Sequence, residues 1–198
     1  MGIELEYKIG QTPLDEEEIE GLLLKSIKTQ QELDEHEQLN IEKAIEWSIG
    51  LKLTPEKIFD ELFIKKVHEK MFDQVWKWAG RFRQSEKNMG VQWTLISIEL
   101  RKLLADTLFW IENKTFSEDE IAIMFKHRLV SIHCFSNGNG RHSRLMADII
   151  AKTIFKSKVF SWNQSSLAKA DDARKEYITA IKAADDGKLE RLIAFARK

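Results

Sequence analysis

His133-Cys134-Phe135-Ser136-Asn137-Gly138-Asn139-Gly140-Arg141-His142-Ser143-Arg144 joins two strongly helical segments, and its own middle suits no helix. Upstream, Ser117-Glu118-Asp119-Glu120 is a capping box that opens a helix to about Ile132. Downstream, Leu145, Met146, Ile149, Ile150 and Ile154 recur at helical spacing to about Phe155. The stretch is therefore a loop that opens onto a helix N-terminus. Gly138 and Gly140 flank Asn139. Glycine tolerates positive φ and lets a ligand come close to the backbone. Unpaired N–H groups and the helix dipole at such a terminus favour an anion, and successive N–H groups can form an anion-binding nest. Helix N-termini ordinarily favour acids. Here Arg141 and Arg144 stand three apart, on one face of the first turn. Two guanidiniums beside a glycine turn suit a polyphosphate, because each binds oxygens in a bidentate fork.

His133 can serve as general base toward an incoming hydroxyl. Phe135, apolar in a polar loop, is expected to anchor it to the core, and the carbonyl oxygen of Asn137 is a candidate ligand for a metal bridging phosphates. The plainer alternative is a helix–loop–helix turn with incidental arginines.

The stretch resembles the signature of Fic-domain proteins, His-x-Phe-x-(Asp/Glu)-Gly-Asn-Gly-Arg-x-x-Arg. It matches at His133, Phe135, Gly138, Asn139, Gly140, Arg141 and Arg144, and departs at Asn137, where the family usually has an acid. The resemblance implies a mostly all-α fold, a Fic-type helical bundle with a short β-hairpin flap. It implies a protein adenylyltransferase that moves AMP from ATP to a target Ser, Thr or Tyr hydroxyl. By the same resemblance His133 is the catalytic base, and Gly138, Asn139, Gly140 and Arg141 hold the α- and β-phosphates. Arg144 takes the γ-phosphate, and position 137 holds Mg²⁺ or Mn²⁺. An amide at 137 keeps an oxygen but loses a negative charge, so metal affinity should fall.

The chain has 198 residues, 43% of them hydrophobic, and a formal net charge of −1. That length suits one domain with a helical extension. The charge gives no global basic field for nucleic acid or anionic membrane. Cys134 is the one cysteine, so no intramolecular disulfide forms, and packing is its expected role. The start has neither a basic region nor an apolar run, and no stretch approaches membrane-spanning length. The expected location is cytoplasmic.

In chain order, residues 1–11 read as a strand-like or loose arm. Thr12-Pro13 reads as cap and first position of a helix to about Leu24, with four acids following. Within it, Glu16-Glu17-Glu18-Ile19-Glu20-Gly21 resembles the inhibitory helix of some Fic proteins, Ser/Thr-x-x-x-Glu-(Gly/Asn), departing at Glu16. That resemblance implies that Glu20 pairs with Arg144 and takes the place of the γ-phosphate; a solvated Glu is the alternative. Thr29-Gln30-Gln31-Glu32 is a capping box for a helix to about Ile49, with Gly50 as its stop. Residues 1–50 form the expected inhibitory extension and 51–198 the core.

Thr54-Pro55 starts the next segment, with apolar residues from Ile58 to Trp76 at helical spacing. His68 beside that stripe is expected to pack or face solvent. Trp78-Ala79-Gly80-Arg81-Phe82-Arg83 resembles the stretch before the Fic flap. From Gln84 to about Ile96 a hairpin is expected, with Met89, Gly90 and Val91 as its flap residues; an irregular connection is the alternative. In the family such a flap holds the target as an added strand. A helix spans residues 97–113. Later helices run from Ser166 to Ala184 and from about Lys188. Tyr177 and Asp185 resemble residues near the adenine, with packing and capping as the alternative.

Related readings are phosphotransfer, removal of AMP, or a non-catalytic module that holds nucleotide or a protein. The Thr-Pro-Leu-Asp start, the capping-box helix and Asn137 together resemble the Fic subgroup called mobile mystery protein B. That implies a small helix-turn-helix companion and a toxin–antitoxin-like pair.

Overall fold

The computed structural model describes residues 12–163 and 170–198. The expectations for an arm over residues 1–11 and for a helix start at Ser166 lie outside them. Among the described residues the chain folds into nine helices, with no strand: α1 (Glu16–Glu20), α2 (Gln30–Ile49), α3 (Pro55–Ile58), α4 (Glu61–Phe72), α5 (Ile96–Asn113), α6 (Glu118–Ile132), α7 (Asn139–Thr153), α8 (Ala170–Asp185) and α9 (Glu190–Arg197). The mostly all-α expectation holds.

Local chemistry explains most of the ends. Thr29 and Ser117 close reciprocal capping boxes with Glu32 and Glu120, as their spacing requires. The Thr12-Pro13 start is corrected: Asp15 is the cap of α1, in a box with Glu18, and the helix lasts only five residues. The stripe from Ile58 to Trp76 is broken at Phe59, and the Asp60 side chain caps α4 by accepting from Leu62 N–H at 2.8 Å.

α6 and α7 pack against each other at the centre. α5 flanks α6, α4 touches α7, α2 covers α4, and α8 pairs with α9. Trp76, Phe72, Phe125, Phe135, Leu100 and Ile123 are fully enclosed in this core. Leu14, Leu22, Leu33 and Ala44 belong to the same cluster, so residues 12–50 share the core of the rest. Cys134 is enclosed as well, and burial pushes its thiol up to about 12, which suits a packing role.

The hairpin is also corrected. Residues 84–92 are irregular and lead into a single 3₁₀ turn, Trp93–Leu95. Arg83 takes up the pairing that a hairpin would use. Its guanidinium donates to the carbonyls of Ser85, at 2.8 Å, and Val91, while its Nε donates to His133 O at 2.7 Å. Val91 N–H donates to Ile132 O at the end of α6. Among the described residues no helix is long and apolar enough to cross a membrane.

Candidate active site

α6 ends at His133, which adopts the left-handed conformation (φ 58°, ψ 61°). A non-glycine residue pays about 1 kcal/mol or more to sit there. The conformation stops the helix and turns the imidazole toward the loop. Gly90 (φ +106°) makes room for it: a Cβ at that position would fall 2.6 Å from His133 Cβ.

The loop is fixed from within. Asn139 accepts from Phe135 N–H at 2.9 Å and donates to Phe135 O at 2.7 Å, so one buried amide holds both backbone groups of Phe135. The Phe135 ring stacks on His68, centroids 3.7 Å apart. His68 Nδ1 accepts from Gly80 N–H, which leaves Nε2–H to donate to Asn137 O at 3.0 Å. His68 is therefore a packed histidine that ties the loop to α4. Burial, with His142 next to it, holds its pKa well below the usual value.

Gly138 is the left-handed cap of α7 (φ +76°), and no side chain caps that helix. The N–H groups of the first turn, Asn139 to Arg141, have no intrahelical acceptor. These residues line a cleft of about 970 Å³, large enough for a nucleotide. The cleft is lined by Thr12, Leu14, Glu37, Met89, His133, Asn137, Gly138, Asn139, Gly140, Arg141, Arg144, Tyr177 and Asp185, among others. The structure thus brings together all the residues expected to hold phosphate. A Cβ on Gly140 would meet nothing within 4 Å, so this position opens directly on the cleft.

The two arginines differ. Arg141 pairs with Glu37 at 2.5 Å, over the ring of Phe72. The other oxygen of Glu37 accepts from Trp76 Nε1 at 2.6 Å, so this carboxylate of α2 is buried and fully engaged. Arg144 lies over Tyr177 and makes no ion pair among the described residues; its Nε donates to Gly140 O at 3.3 Å. Tyr177 O accepts from the buried Lys126 Nζ at 2.5 Å. Asp185 bonds His127 Nε2 at 2.8 Å.

Glu20, Asn137 and the flap residues are engaged differently than expected. Glu20 is exposed at the end of α1 and makes no pair with Arg144 among the described residues; Glu37 holds Arg141 instead. Asn137 lines the cleft, with its amide engaged by neighbours. Its oxygen accepts from Gly138 N–H at 2.6 Å, and its amino group donates to Thr12 O at 3.1 Å. Among the described residues no cluster of three His, Cys, Asp or Glu could hold a metal. Of the flap residues, Met89 lines the cleft, whereas Gly90 and Val91 pack on His133 and the end of α6.

His133 Nε2 lies 2.8 Å from Thr12 Oγ1, and both residues are buried. Its Nδ1 is buried without a hydrogen-bond partner. Burial and, next, the charge of Arg83 lower the imidazole pKa to about 4. The ring is neutral at pH 7, and a neutral Nε2 can accept a proton.

The same burial sets a pH dependence of stability. His142 is likewise lowered to about 4 by burial, and His68 lies well below its usual value. Between about pH 4 and 6.5 the imidazoles of His133 and His142 are protonated in the unfolded chain and neutral in the folded one, and His68 acts in the same direction. Asp148, raised to about 6 by burial, opposes one of them. From His133, His142 and Asp148 together the net is about one proton taken up on unfolding near pH 5, or roughly 1.4 kcal/mol lost per pH unit as the pH falls, and His68 adds to the loss. Urea denaturation at pH 5 and pH 7 measures this loss.

Glu37 and Thr12 were missed by the sequence reading. Glu37 does carry a signal: Leu33, Glu37, Asn40, Ile41 and Ala44 are the buried face of α2, so an acid stands at a core position. Thr12 read as a helix cap, which hid it.

The fold and site define a helical protein with a glycine loop at a helix N-terminus beside a buried histidine. Residues 58–151 match the model of the Fic/DOC family, and the chain contains a Fic/DOC domain over that stretch. Solved structures share the fold. BepC from Bartonella tribocorum, with AMPPNP bound, is 18% identical, with a TM-score of 0.66 over 92% of this chain and 97% of that one. The N-terminal Fic domain of a Bartonella quintana Bep effector, with ADP bound, is 18% identical, with a TM-score of 0.64 over 87% and 86%. A fragment of Fic-1 from C. elegans is 20% identical (TM-score 0.66); 83% of this chain matches it but spans only 48% of that fragment.

Proposed function

We propose that this protein is an adenylyltransferase that moves AMP from ATP to a protein hydroxyl. The observation that carries the reading is the hydroxyl–imidazole pair at the mouth of an anion-binding loop: Thr12 Oγ1 on His133 Nε2, beside the free N–H groups of α7. A target hydroxyl in that place gives its proton to His133 and attacks the α-phosphorus. The N–H groups of the first turn, with Arg141 and Arg144, stabilise the charge that develops on the phosphates. ADP and AMPPNP in two structures of the same fold support a nucleotide as occupant. The commitment of the Asn137 oxygen to Gly138 N–H, and its lack of charge, make this position a weaker Mg²⁺ ligand than an acid would be, and no step is assigned to the metal. The same commitment favours a second reading, a module that binds nucleotide without turnover. Transfer of label separates them: with α-labelled and γ-labelled ATP offered alongside cell extract, α-label alone should reach protein. γ-Label alone would indicate phosphotransfer. Bound nucleotide with no transfer would indicate the module.

Residues 1–50 act in this reading as a restraining extension. The restraint is assigned to Glu37, because a phosphate must displace its carboxylate to reach Arg141. Glu37→Gln should bind ATP tighter, roughly 5- to 150-fold for a coupling of about 1–3 kcal/mol. Calorimetric titration measures it, and Glu20→Gln, exposed, should match the parent.

A further inference from the structure

We propose that Thr12 is the protein's own acceptor, adenylylated within the same molecule by the site it covers. The inference rests on the transfer reading above and adds its first substrate. Thr12 Oγ1 is the hydroxyl hydrogen-bonded to His133, and the pair is enclosed.

The main chain of Thr12 is held as firmly as its side chain. Asn137 Nδ2 donates to Thr12 O at 3.1 Å, while the oxygen of the same amide fixes Gly138. One residue of the phosphate loop thus sets the hydroxyl and the loop relative to each other. A carboxylate at 137 would have no N–H for this contact. The amide that disfavours a metal is the group that grips the acceptor.

Downstream the segment is pinned across the cleft. Leu14 is buried and lines the cleft beside Thr12. Asp15 and Glu18 pair with Lys87, at 3.2 and 2.5 Å. Trp78 Nε1 donates to Glu18 O at 3.1 Å. These contacts come from the 78–91 stretch, so Thr12 is presented between that stretch and the loop. Holding a reactant in this way turns a bimolecular step into an intramolecular one.

In the step, Thr12 Oγ1 forms a bond to the α-phosphorus of ATP and its proton passes to His133 Nε2. The bond from the α-phosphorus to the bridging oxygen breaks, and pyrophosphate leaves with the electron pair. The product is a phosphodiester between Thr12 and adenosine, and His133 returns its proton to water. A protein target needs the same place, so residues 12–14 must leave before another hydroxyl can react.

The test incubates the purified full chain with α-labelled ATP and Mg²⁺ over a range of protein concentrations, with cell extract in a parallel arm. Peptide mass spectrometry then locates the label. The expected result is label on Thr12, with a rate per molecule that does not change with concentration. Thr12→Val should remove it, and Thr12→Ser should restore it at the same position. Label on extract proteins or on other residues of the chain, with Thr12 unmodified, overturns this proposal and leaves the transfer reading standing. Modification of Thr12 at a rate that rises with concentration overturns the intramolecular route. No label on any protein overturns both the proposal and the reading beneath it.

Discussion

His133→Ala is expected to lower AMP transfer by about 10²–10⁴-fold, the usual contribution of a positioned general base. The fold should hold. The His133 side chain makes its one hydrogen bond to Thr12, and its Nδ1 is a buried atom without a partner. Removing an unsatisfied buried group recovers part of what the lost packing costs. The backbone remains left-handed at this position, so Asn, which tolerates that region, is the gentler control. Nucleotide affinity should stay near the parent's, because in the proposed reading the loop and the arginines, not His133, hold the phosphates. A variant that binds ATP but does not transfer it identifies the base. A variant that transfers undiminished removes His133 from the chemistry.

Gly138→Ala should be the most damaging single methyl in the site. Gly138 has φ +76°, and a Cβ there would lie 2.5 Å from Phe72 Cζ and 2.6 Å from Cε2. Phe72 is fully enclosed and carries the Arg141 guanidinium over its ring, so it has nowhere to move. Left-handed strain and overpacking together should cost roughly 2–5 kcal/mol. The loop should yield before the core does, turning the first N–H groups of α7 away from the cleft. Denaturant unfolding measures the stability, and calorimetry should find ATP binding lost. Gly140→Ala, which meets nothing nearby, is the matched comparison. Its fold should be unaffected.

The signature could be read because its parts are contiguous. His133, the glycines and the arginines lie within twelve positions, and each acts through a rule that operates over one helical turn. The capping boxes at Thr29 and Ser117 are local in the same sense, and the structure forms both. What escaped the sequence is non-local. Thr12 reaches His133 across 121 positions, and Glu37 reaches Arg141 across 104. No periodicity encodes such pairs. The resemblance at Glu20-Gly21 pointed to the right kind of contact, a carboxylate on an arginine of the loop. The acid that makes it comes from the next helix, because α1 ends after five residues and leaves Glu20 in solvent.

The hairpin failed for a different reason. Val91-Gln92-Trp93-Thr94 alternates as a strand would. Alternation describes which side chains share a face, but it does not supply the backbone partner. Arg83 and the end of α6 take that partnership here. Asn137 shows the limit of residue type as a guide. An amide offers an oxygen and an amino group, and the neighbours decide which faces the cleft. Gly138 N–H claims the oxygen and Thr12 receives the amino group.

The central claim is that the loop holds a triphosphate with its α-phosphorus in front of His133. A crystal structure of the chain with a non-hydrolysable ATP analogue and Mg²⁺ tests it most directly. The account predicts the phosphates on the N–H groups of Asn139 to Arg141, with Glu37 displaced from Arg141. It also predicts the α-phosphorus about 3–3.5 Å from an attacking oxygen in the position of Thr12 Oγ1, a near-attack separation. Phosphates bound elsewhere in the cleft, or turned so that the α-phosphorus faces away from His133 with Glu37 still on Arg141, would contradict it.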